Sequence, residues 1–167
     1  MFEVGQYVIK ANTGVCRVVE ITMYARNEEE DEKLFYILAP KTNPASRLYV
    51  PVDSDKSNMR PVMTYEEAEA FIVNVPNIEV AWIASDKLRE KEYKEAIKSN
   101  NPEALVSIIK NLIIRNRQRE EQGKKSTAVD ERYFQMAENA LYSELSTAMD
   151  KSVEELRVLI SEAIEKI

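Results

Sequence analysis

The feature that most restricts this chain is a change of hydrophobic period near residues 61–64. Before it, apolar residues fall in short runs, "QYVIKA", "VCRVVEITMYA", "KLFYILAP" and "RLYVPV", divided by the turn-like pieces "NTG", "NEEEDE" and "KTNPAS". Runs this short, rich in Val, Ile, Tyr and Phe, predict β-strands. Four or five of them with no room for helices predict a small antiparallel β-barrel or strongly bent sheet over residues 1–62. Pro51 in "YVPV" has no N–H to give a ladder, which predicts a sheet edge there. Such an edge can accept a strand from a partner, or the proline can simply block aggregation.

After residue 63 the apolar spacing becomes helical. Thr64 with Glu67 has the capping-box form, and Ser85 stands ready to cap a second helix. Asn101 followed by Pro102 opens a third, in which Leu105, Ile108, Ile109 and Leu112 make one apolar face. Thr127 with Asp130 and Ser152 with Glu155 open two more, the last running through "VEELRVLISEAIEKI". The expected class is α+β, a β module at 1–62 followed by an all-α bundle of about five helices at 63–167.

Composition removes several functions. The 167 residues include no histidine, so Ser-His and Cys-His nucleophile systems are excluded. The three glycines, Gly5, Gly14 and Gly123, are too scattered for a phosphate-cradling loop. "EEEDE" at 28–32 lacks the spacing of a calcium loop and reads as a solvated loop tip. No catalytic residue, metal site or cofactor is therefore expected. The single cysteine, Cys16, lies in a strand and reads as a small buried residue. With no signal-like N-terminus and no apolar run near 20 residues, a cytoplasmic protein without membrane contact is expected.

Charge is unevenly placed. The net charge is −6, yet residues 82–125 carry 11 basic and 7 acidic groups, between acidic stretches on either side. On the helix expected after Ser85, Lys87, Lys91, Lys94 and Lys98 recur at i, i+4, i+7 and i+11, within about 60° of one another. Arg89 lies elsewhere on its circumference. Lys110 and Arg117 are expected opposite the apolar face of the third helix, and Lys124 and Lys125 follow Gly123 at a break. Converging, these cations would bind phosphates; otherwise they form a solvated face. Trp82, the only tryptophan, precedes the basic helix. It is placed either to anchor a core or to stack on a base.

The order "FEVGQYV…GV…VVEI", "LYVPV" and "MRPV", then "WI…DKLR…AIKSNNPEALVSIIKNL", "GKKS…DERY" and "AENALYSELSTA", resembles the CarD/CdnL family of bacterial transcription regulators. The resemblance implies a Tudor-like N-terminal domain that docks on the RNA polymerase β subunit through Arg47, Leu48, Tyr49, Val50 and Pro51, with Tyr24 nearby. It further implies a helical domain that reaches promoter DNA at the upstream fork of the bubble, weakly and without sequence preference when alone. There Trp82 is the wedge, and Lys87, Arg89, Lys91, Lys94, Lys98, Lys124 and Lys125 contact the DNA backbone. Two departures are visible. "KANTG" stands where the family has Y-P-x-H-G, and Tyr49 stands where a basic residue is common, with Arg47 two positions earlier. The expected protein is a monomeric, non-catalytic regulator that stabilises the open complex. The alternative is a protein-interaction adaptor with no direct nucleic-acid contact.

Overall fold

A computed structural model describes residues 1–54 and 58–165. The chain divides into two compact units, Met1–Val62 and Met63–Ile167.

The first unit is a five-stranded antiparallel sheet: β1 (Tyr7–Lys10), β2 (Gly14–Tyr24), β3 (Lys33–Pro40), β4 (Leu48–Pro51) and β5 (Met59–Pro61). The strand order is β4-β3-β2-β1-β5. The antiparallel sheet is as expected, but it does not close into a barrel: among the described residues β4 and β5 are its two edges. Gly14, at φ +94°, lets the β1–β2 hairpin turn where an L-residue would be strained. A register shift at Val18/Glu20 marks a bulge in β2, the longest strand, and sharpens its twist. One sheet face buries Val8, Cys16, Val18, Tyr36, Leu38 and Val50 as a small core.

The second unit holds α1 (Tyr65–Asn74), α2 (Asp86–Ser99), α3 (Pro102–Glu121), α4 (Ala128–Met149) and α5 (Val153–Glu165), with one 3-10 turn at Val75–Asn77. The last two residues of the expected final helix lie outside the described residues. Thr64 and Glu67 form the complete capping box. The Asn101 side chain accepts from the amides of Glu103 and Ala104, and Thr127 accepts from that of Asp130. Ser85 precedes α2 as expected, yet its hydroxyl makes no capping bond. The larger core joins α1, α3, α4 and α5 through residues such as Leu105, Ile109, Leu141, Leu145, Leu156 and Ile160. A separate cluster of Tyr93, Ala96, Ile108, Leu112 and Tyr133 seats α2 on α3 and α4. So α2 is attached through few side chains, and most of its circumference faces water.

Candidate functional site

Trp82 is 86% exposed, so the core-anchor alternative is overturned. Its neighbours explain how a large apolar side chain comes to stand in water. Ala81 and Ile83 both pack against the Tyr93–Leu112–Tyr133 cluster. In an extended segment, successive side chains point to opposite sides, so anchoring 81 and 83 turns 82 outward.

The segment that carries Trp82 has no regular structure of its own, and α3 holds it. The Ser107 hydroxyl donates to the carbonyl of Glu79 at 2.7 Å, and the Ala81 amide donates to the Ser107 carbonyl at 3.2 Å. The Asn111 side-chain amide donates to the Ala81 carbonyl at 2.9 Å. Lys110 lies beside them, its ammonium 2.6 Å from the carbonyls of both Val75 and Ile78. Lys110 is 1% exposed, which corrects its expected outward position. Without its two carbonyl partners an ammonium would not be buried; with them it closes the turn that leads to Trp82. Burial lowers its pKa from the ordinary lysine value.

The stripe continues along α3. Four residues after Asn111, Arg115 bonds Asp130 at 2.8 Å and reaches Asp86, at the start of α2, at 3.4 Å. A further four on, Arg119 donates to the Lys125 carbonyl at 2.9 Å while its own carbonyl accepts from the Lys124 amide at 2.8 Å. The Lys124–Lys125 loop is thereby tied to α3, and the pKa of Asp86 is lowered. The hydrogen bond from Arg89 is the larger cause of that lowering, followed by the charge of Arg115.

Lys87, Lys91, Lys94 and Lys98 are all exposed, as their spacing predicts. Two of them have carboxylate partners on the same helix, Lys91 with Glu95 at 4.0 Å and Lys94 with Glu90 at 3.4 Å. The row also runs away from Trp82, with Lys98 about 16 Å beyond Lys87 along the axis. Arg89 differs from the lysines. It bonds Asp86 at 2.7 Å, Tyr93 at 3.2 Å and Asn111 at 3.2 Å, and its side chain is mostly covered. Its Nε and Nη1 are committed to the scaffold that holds the Trp82 segment, and these bonds leave its Nη2 hydrogens for another acceptor.

Ser107, Asn111, Arg115 and Arg119 escape a reading of the sequence. Their i, i+4, i+8, i+12 spacing is visible, but only the fold shows that Ser107 and Asn111 hold the Trp82 segment while Arg115 reaches the start of α2 and Arg119 the Lys124–Lys125 loop.

In the first unit, the resemblance-implied docking residues divide by pleat. Val52 donates to the Leu34 carbonyl at 2.9 Å, and Leu48 and Val50 stand opposite Leu38 and Tyr36. With this period of two, the backbone groups of Leu48 and Val50 face β3, and those of Tyr49 face away from the sheet. Pro51, lacking an N–H, sacrifices no ladder bond there. Val50 is 6% exposed and belongs to the core, and Leu48 packs against it. The Val50 side chain is thus enclosed in the core, while that of Leu48 is half-buried. Tyr49 is exposed, with its ring centroid 4.9 Å from that of Tyr24, and Tyr24 meets Phe35 edge-on at 5.5 Å. An open cleft of about 600 Å³ beside them is lined by Tyr24, Arg26, Lys33, Phe35, Pro51 and Asp53. Arg47 is exposed but folds back, donating to the carbonyls of Pro44 at 2.6 Å and Ser46 at 2.9 Å.

Among the described residues, no three His, Cys, Asp or Glu side chains gather as a metal site, and no helix is long and apolar enough to cross a membrane. The chain is thus a two-unit α+β protein with an aromatic sheet edge in one unit and a solvent-facing tryptophan in the other. Residues 2–63 match the family model of the CarD-like/TRCF RID domain, an RNA-polymerase-interacting domain. The strand-rich unit belongs to that domain family, consistent with a CarD/CdnL-like protein and a transcription-related role. No curated protein matches the chain.

Proposed function

We propose that this protein is a non-catalytic transcription regulator that docks on the RNA polymerase β subunit and stabilises open promoter complexes at the upstream fork. The observation that carries the DNA half is Trp82, 86% exposed on a segment whose backbone is fastened to α3. An indole standing in water on a fastened backbone contributes little to packing and suits a wedge against unstacked bases. The bent, bulged five-stranded sheet supports a Tudor-like domain, and its β4 edge with Tyr24 and Tyr49 supports docking by strand addition. Docking raises the local concentration of a weak DNA-binding unit near the fork. Lys87, Lys124, Lys125 and the outer lysines of α2 then supply backbone affinity that falls with salt. The protein acts as a cytoplasmic monomer.

The lifetime of open complexes on a promoter template tests this reading. Wild-type protein lengthens it, Trp82→Ala removes the gain while polymerase binding persists, and Tyr49→Asp removes both. A full effect from Trp82→Ala sinks the DNA half.

A second reading is an adaptor that binds polymerase and never touches DNA. Its specific support is the pairing of Lys91 and Lys94 with glutamates of their own helix, in a chain of net charge −6. The affinity of the polymerase-bound protein for fork DNA separates the two, since the adaptor shows none at any salt concentration.

A further inference from the structure

We infer that Asn111 is the positioning residue for Trp82, its amide holding the exposed indole in one orientation for contact. The inference rests on the reading of Trp82 as the DNA-contacting group. Ala81, immediately before Trp82, has both backbone polar groups taken by α3: its N–H by the Ser107 carbonyl at 3.2 Å and its carbonyl by the Asn111 amide nitrogen at 2.9 Å. The path of the chain into Trp82 is therefore set at its last peptide.

The orientation of the Asn111 amide is itself dictated. Its oxygen accepts from the Tyr93 hydroxyl at 3.2 Å and from the Arg89 guanidinium at 3.2 Å. Turning the amide over would set its NH2 against the Arg89 guanidinium and leave the Ala81 carbonyl facing an oxygen. Arg89 has no acceptor capacity at all, and it is fastened in turn to Asp86 at 2.7 Å. Tyr93 is fully buried and cannot swing away. So Arg89 and Tyr93 act on Trp82 through Asn111, which gives a guanidinium in the basic segment a function other than gripping phosphate. Pre-organisation of this kind matters for a wedge, because an indole that must first be ordered gives up part of its contact energy.

Trp82 is the sole tryptophan, so its fluorescence reports its own mobility. Asn111→Asp keeps the acceptor for Arg89 and Tyr93 but removes the donor to Ala81; Asn111→Ala removes both. Each should lower the steady-state anisotropy of Trp82 in the folded protein. Loss of one neutral hydrogen bond should shorten open-complex lifetime roughly fivefold. In the Trp82→Ala background, adding either substitution should change the lifetime no further. Wild-type anisotropy and lifetime in a folded Asn111→Asp protein overturn the inference, as does an effect that multiplies with that of Trp82→Ala. Should Trp82→Ala itself leave the lifetime unchanged, the DNA-contact reading fails, and anisotropy alone still decides whether Asn111 orders the indole. If Asn111→Ala does not fold, Asn111→Asp carries the comparison.

Discussion

The ammonium of Lys110 lies 2.6 Å from the carbonyl oxygen of Val75, inside a bundle that leaves 1% of the lysine exposed. A second bond of the same length goes to Ile78. Lys110→Met keeps length and apolar stem but leaves both carbonyls short of a strong donor. Stability should fall by about 2–4 kcal/mol in urea denaturation. A surface lysine would change it by only about 0.5 kcal/mol.

Trp82→Ala should be silent in the same measurement. The indole buries little area, so the variant should unfold within about 0.5 kcal/mol of wild type when followed by circular dichroism. The wild-type emission should be that of a water-exposed indole. A large loss of stability would mean that the side chain packs in solution.

Tyr49 and Val50 are adjacent on β4 and should answer the same substitution oppositely. Val50→Asp places a carboxylate in the sheet core and should destabilise by about 3 kcal/mol or more. Tyr49→Asp should cost less than about 1 kcal/mol yet weaken RNA polymerase binding at least tenfold, by roughly the loss expected for an aromatic anchor. Pull-down of polymerase with each folded variant checks this.

Cys16 offers a pH test. Burial pushes its thiol up to about 11, with the charge of Lys10 acting in the opposite direction. The folded state therefore holds this proton more tightly than the unfolded chain, where a thiol titrates near about 8.5. Its contribution is intact below that value and is lost as pH rises toward about 11. The stability difference between wild type and Cys16→Ala should thus be constant near neutral pH and shift against wild type across the alkaline window. At neutral pH a thiol reagent should label Cys16 only on unfolding.

Much of the architecture can be read from local signals. Thr64 with Glu67 and Asn101 with Pro102 start helices where the structure has them, because capping is a contact among residues three or four apart. The short apolar run "RLYVPV" likewise puts a strand where the structure has residues 48–51. Closure of the sheet is a different matter, since it depends on whether β4 and β5 pair, and among the described residues they do not. Sequence spacing set the lysines of α2 outside correctly, while it put Lys110 outside as well. A helical wheel shows which residues share a face but not what that face meets, and for Lys110 it meets the carbonyls of a turn 32 and 35 residues earlier.

Trp82 marks the division between the two kinds of information. The sequence by itself determined that a lone tryptophan precedes a basic helix in an α+β chain, since local propensity and charge spacing require no knowledge of distant contacts. Only the tertiary structure decided that the indole faces water, that Arg89 bonds the Asn111 that holds Ala81, and that Val50 is core beside an exposed Tyr49. Each of these depends on which side of a segment is covered, and that cover comes from residues far along the chain: α3 for Trp82 and Arg89, and β3 for β4.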